Sequence, residues 1–121
     1  MTDYKYIDLN YLNDLALGSK DFIEDMISSF LKNTPESLVR METALVKNDW
    51  EQIGKIAHKV KTSFTFMGME ETVVKAKTLQ DYGLKTTNQE EIPGLISDIK
   101  VAYNNAEAEL NVELTALKAE L

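Results

Sequence analysis

One histidine, His58, stands in the 121 residues of this chain, within the stretch WEQIGKIAHKVKTSFTFMG from Trp50 to Gly68. Read as a helix, Trp50, Ile53, Ala57, Val60, Phe64 and Met67 recur at spacings of three and four and form one apolar stripe. At about 100° per residue, His58 falls roughly 130° from the centre of that stripe, so its imidazole points to solvent. Gly54, Lys55, Lys61 and Thr62 are its neighbours three or four residues away, on the same face. A neutral imidazole is a good nucleophile at near-neutral pH. A phosphoryl group placed on it would carry close to two negative charges. Lys61 could hydrogen-bond its oxygens and offset part of that charge, and Lys55 could add to the field. Gly54 and Thr62 flank the ring with small side chains, which would let a partner approach closely. The plainer reading is a surface histidine among solvating lysines.

Other chemistries find no residues to carry them. Zero cysteines exclude disulfides, thiolate chemistry and zinc–sulfur sites. Di-iron bundles need Glu-x-x-His pairs, and the residue three before His58 is Lys55, so no metal site is expected. Glu70–Glu71 and Glu90–Glu91 are adjacent pairs that cannot share a helix face, and a solvated surface explains Glu109 and Glu113 better than acid–base work. Ser63 has no visible base and no strand–turn–helix elbow. The five glycines never cluster into a loop that could cradle a nucleotide phosphate, so no ATP site is expected. A net charge of −7 argues against nucleic acid, although Lys55, Lys59 and Lys61 make one face locally basic. No apolar run is long enough to span a membrane, and MTDYKYIDLN lacks the order of a signal peptide. A cytoplasmic, cofactor-free protein is the expectation.

The elements that must position His58 read as all-α. A short helix is expected from about Asp8, its cap, to Ala16, with Leu9, Leu12 and Leu15 inward and Gly18 past its end. Ser19 caps a long second helix over about 19–47, kinked or briefly broken near 33–35 by Pro35. Its stripe includes Phe22, Met26, Phe30, Leu38, Met41, Leu45 and Val46. Either Asn48 with Glu51 or Asp49 with Gln52 would form the capping box of the histidine helix, and Gly68 would end it. A fourth helix runs over about 70–82 with Gly83 as its stop. The last starts between Asn88 and Pro93, and its stripe, Ile92 to Leu121, approaches 30 residues. It is expected to project or fray from about residue 110. The architecture is a single domain, an antiparallel four-helix bundle with a short N-terminal lid.

The segment AHKVKTSFTFMG resembles the signature of histidine-containing phosphotransfer (HPt) domains, roughly A-H-x-x-K-G-S with a second glycine ten residues after the histidine. This chain matches at Ala57, His58, Lys61, Ser63 and Gly68. FLKNTPESLVRMETALVKNDW is similar to the family's second helix and the Asp-Trp turn before the histidine helix, so the resemblance covers about Asp8 to Tyr103. One motif residue departs: Thr62 stands where members usually carry a small residue, often glycine.

The resemblance implies a phosphorelay intermediate. His58 would accept a phosphoryl group from the aspartyl phosphate of a response-regulator receiver domain and pass it to another receiver, with Lys61 steadying the charge. Receiver domains are the implied partners, with a hybrid sensor histidine kinase a further candidate. Mg²⁺ would belong to the receiver, not to this chain. Phe66, about 80° beyond His58 on the helix, and Phe22 and Met26 on the second helix are candidate docking residues, and Gly68 is structural. The protein would be a monomer, and the N-terminal methionine favours a free-standing one. Two other classes compete. A non-catalytic four-helix adaptor would bind through a projecting Leu110, Leu114, Leu117 and Leu121 stripe. A bundle enzyme would need a second catalytic group, which the chain does not show.

Overall fold

The computed structural model describes residues 4–119. Its helices are α1 (Asn10–Ala16), α2 (Lys20–Val46), α3 (Trp50–Phe66), α4 (Glu70–Lys85) and α5 (Ile92–Ala119), with a 3-10 turn at Gln89–Glu91 leading into α5. No strand occurs among the described residues. α2, α3, α4 and α5 each pack on two of the others and close a four-helix ring, while α1 lies against α2. Ile27, Met41, Ile53, Phe64, Leu79, Ile99 and Leu110 fill the centre of one continuous core.

Local sequence sets the limits of α3. The Asp49 carboxylate accepts from the Gln52 N–H at 3.2 Å, so Asp49, not Asn48, is its cap. At the other end Gly68 takes φ +68. There the Met69 N–H donates to the Phe64 carbonyl and the Gly68 N–H to the Thr65 carbonyl, both at 3.1 Å. This paired closure needs a left-handed residue, which glycine adopts without cost. α2 closes the same way on Asn48, with Asp49 N–H donating to Ala44 and Asn48 N–H to Leu45.

Four of the helices differ from expectation. α1 starts at Asn10 with Leu9 as its flanking residue, while the Asp8 carboxylate accepts from the Asn10 N–H at 2.9 Å; Leu15 is exposed. α2 runs through Pro35 without a break, and its Val46 is 85% exposed. Proline has no N–H for the carbonyl four residues before it, here Leu31. The Tyr103 hydroxyl of α5 lies 3.3 Å from that carbonyl and 3.2 Å from the Glu107 carboxylate, so its one proton is shared between the orphaned acceptor and a charged one.

Gly83 does not stop α4. The helix continues to Lys85 and closes on Thr86 at φ 52, with Thr87 N–H donating to the Tyr82 carbonyl. Gly83 instead presses against α3. A Cβ there would lie 2.6 Å from the Trp50 carbonyl oxygen and 2.7 Å from the Gly54 nitrogen.

The end of α5 does not project from residue 110. Leu110 is 0% and Leu117 6% exposed. A strap over residues 4–9 binds this helix through Glu109 and Glu113, and its Ile7 and Leu9 join the core. Leu121 lies outside the described residues.

Candidate functional site

Ala57, Val60 and Phe64 bury one side of α3, and His58 stands exposed on the other. Among the described residues nothing hydrogen-bonds its imidazole. Two clefts open around the strap and Gly68, His58 lines neither, and its side chain is exposed. Whatever reacts with it must bring its own enclosure.

The surrounding charges are unequal. Lys61, one turn on, is half-buried and pairs with no carboxylate among the described residues. Lys55 reaches back to Glu51 at 3.2 Å, with side chains 63% and 72% exposed. Such an exposed pair is weak and readily exchanged. Lys59 is exposed beside them. Thr62 is exposed, one turn from His58, and its hydroxyl makes no hydrogen bond among the described residues.

Gly54 is not a gap beside the ring. It is buried, and a Cβ there would meet the Leu84 nitrogen and Cγ at 2.8 Å. Its small size serves the α3–α4 approach. That contact also fixes the register of the two antiparallel helices. Four residues on from Gly54 along α3 stands His58; four residues back from Leu84 along α4 stands Gln80. Each step is about 6 Å of helix, so the two residues share a level. The Gln80 carboxamide oxygen is enclosed and has no hydrogen-bond partner. Sequence reasoning missed Gln80, because a single amide on a helix face carries no signal until the facing helix is in register.

The candidate docking residues lie toward one end. Phe30 meets Phe64 edge-on, with ring centroids 5.5 Å apart. By helical rise, Met26 and Phe22 therefore sit about 15 and 21 Å along the axis from His58. Met26 is half-buried against the core and Phe22 is exposed. Phe66 is half-buried and stacks on Tyr11 of α1, with ring centroids 5.9 Å apart. Tyr11 and Leu15 are themselves exposed, so they extend this apolar end. Only a lone aromatic and an apparent core leucine marked them in the sequence. Gly68 is held under Asp8: a Cβ would come within 2.2 Å of the Asp8 carbonyl oxygen, whose own N–H donates to the Met67 carbonyl.

The Tyr103 phenol is pushed upward from its ordinary range, by burial first and then by neighbouring Glu107. It belongs to the α2–α5 contact and not to the His58 surface.

A family model described as the Hpt domain matches residues 25–120, which includes α3 whole and leaves α1 and the strap outside. Searches of curated proteins and of solved structures each return no match. Hpt domains are phosphotransfer modules of two-component phosphorelays that work with receiver domains and are not ATP-binding kinases. No helix among the described residues is long and apolar enough to cross a membrane. With well over half of its length matched and an exposed histidine at the centre of its third helix, the chain belongs to the Hpt domain family.

Proposed function

We propose that this chain is a phosphorelay intermediate in which His58 accepts a phosphoryl group from one receiver domain and yields it to another. The observation that carries the reading is the exposed, unengaged imidazole on a helix whose opposite face is locked into the core. One ring nitrogen attacks the phosphorus of the receiver's aspartyl phosphate in line. The N–P bond forms as the bond from phosphorus to the carboxylate oxygen breaks, and the carboxylate leaves with the electron pair. The receiver brings Mg²⁺, and this chain adds the Lys61 ammonium, which pairs with no carboxylate among the described residues. Lys55 becomes available when its exposed pair with Glu51 opens. Gln80 stands at the same level on α4 with an unpartnered carboxamide oxygen, an acceptor for the proton on the second ring nitrogen once the ring turns toward it.

Phe66, Tyr11, Leu15, Phe22 and Met26 form the apolar part of the docking surface. A standard interface of about 800 Å² per partner spans the distance from them to His58. The relay works as a cytoplasmic monomer without nucleic acid. An adaptor role through the end of α5 has lost its motive, because Leu110 and Leu117 are buried.

The test mixes wild type and His58→Ala with receiver domains precharged by a small phosphodonor in Mg²⁺. Label on the wild type alone, stable in base and lost in acid, is the expected result. Label on neither protein, with both folded, would overturn the proposal.

A further inference from the structure

One carboxylate holds the middle of the N-terminal strap. Glu109 on α5 accepts the Lys5 N–H at 2.7 Å on one oxygen, and the Tyr6 and Ile7 N–H groups at 2.8 and 3.1 Å on the other. One turn on, Glu113 accepts the Tyr4 hydroxyl at 2.7 Å. Three consecutive main-chain donors on one carboxylate make a charge-assisted clamp. The strap it fixes leads directly into α1.

α1 has seven residues. A helix that short does not persist by itself in water. Three things keep it in place: Leu12, which is fully buried; the stack of Tyr11 on Phe66; and the strap, pinned at Asp8 over Gly68 and at residues 5–7 by Glu109. The strap and α1 lie outside the region that matches the family model. They also carry Tyr11, stacked on Phe66, and Leu15 one turn further along α1, both exposed.

We infer that Glu109 is a positioning residue for phosphotransfer: by clamping residues 5–7 it fixes α1, and so sets how a receiver docks over the end of α3. This rests on the phosphorelay reading above. It assigns Glu109 no part in the chemistry at His58, and the two residues separate accordingly in experiment.

The clamp predicts a graded series. Glu109→Gln keeps one acceptor but turns an N–H₂ toward one of the three donors, and Glu109→Ala removes all of them. Both full-length variants and the wild type would be compared in three measurements. One is hydrogen exchange at the amides of Lys5, Tyr6, Ile7 and α1. A second is transfer from the receiver domain that charges the wild type fastest, over a range of receiver concentrations. The third is labelling of His58 by phosphoramidate, a small donor that needs no docking. The expected result is faster exchange in strap and α1, with KM for the receiver raised about tenfold in Glu109→Ala and less in Glu109→Gln, as loss of preorganisation implies. Phosphoramidate labelling stays at the wild-type rate. Protected strap amides in Glu109→Ala would overturn the clamp, and freed amides with an unchanged KM would overturn its role in docking. A parallel fall in phosphoramidate labelling would mean a general loss of structure and would also overturn it. Should Glu109→Ala fail to fold, Glu109→Gln decides the same points. Wild type labelled by phosphoramidate but by no receiver would sink the phosphorelay reading, and this role with it; wild type charged normally with unaffected variants would sink this role alone.

Discussion

At the scale of single residues the proposed relay assigns one group to react, others to hold charge and others to pack. His58 makes no contact that the fold needs, so His58→Gln should abolish labelling while leaving thermal stability within about 0.5 kcal/mol of wild type. Thermal melts beside the labelling assay check both halves. Lys61 offers a charge-assisted hydrogen bond of roughly 1.5–3 kcal/mol, so Lys61→Ala should slow transfer by about ten- to a hundredfold with the bundle still folded. Unchanged rates would remove Lys61 from the mechanism. Thr62 is exposed and its hydroxyl is unengaged, so Thr62→Gly should cost only about 0.5–1 kcal/mol of helix stability. If the β-branched side chain limits access to the ring, the same change speeds transfer. His58 and Lys61 were legible in the sequence because their spacing on one helix is local information. Gly54 and Gln80 were misread or missed, since their meaning depends on α4, whose register no local pattern announces.

At the scale of elements, α2 and α5 are tied by an exchange of hydrogen bonds. Pro35 withholds a donor from Leu31, and Tyr103 offers one that it shares with Glu107. Tyr103→Phe leaves that carbonyl unpaired and should destabilise the fold by about 1–3 kcal/mol. In a Pro35→Ala background, which restores an N–H inside the helix, the same change should cost measurably less. Equal costs in both backgrounds, from denaturant unfolding, would refute the exchange. The phenol also leaves a pH signature. Its folded-state pKa is raised, so the increment of stability is complete below the unfolded value near 10 and is lost as pH rises beyond it. Alkaline unfolding of the wild type should therefore be steeper than that of Tyr103→Phe. A kink or brief break was expected at Pro35 because the sequence shows the lost donor but not Tyr103, 72 residues beyond the Leu31 acceptor. The limits of α3 were readable for the opposite reason: Asp49 and Gly68 act on their own turns. Gly83 imitates such a stop and is instead the point where two backbones meet.

At the scale of the whole molecule, charge and shape pull in different directions. The chain carries a net −7, yet the face around His58 displays Lys55, Lys59 and Lys61. The Debye length is about 10 Å at 0.1 M salt, so a docked acidic partner feels this local face more than the distant carboxylates. Transfer should consequently slow several-fold between low and high ionic strength, through receiver affinity and not through the chemical step. Stopped-flow rates at saturating and limiting receiver separate the two. The buried end of α5 was the largest misjudgement at this scale. Its leucine stripe is covered in part by a strap with no periodicity of its own, held by backbone donors that look alike in every sequence.

The meeting of Gly54 and Gly83 has a consequence for how such a relay can diversify. Where α3 and α4 touch main chain to main chain, the height of the imidazole above the bundle is set without help from any side chain on the outward face. Glu51, Lys55, Lys59 and Thr62 are then free to change identity without shifting the imidazole they surround. The outward face works as an address written on a fixed plate, and a new partner can be selected by rewriting the address alone.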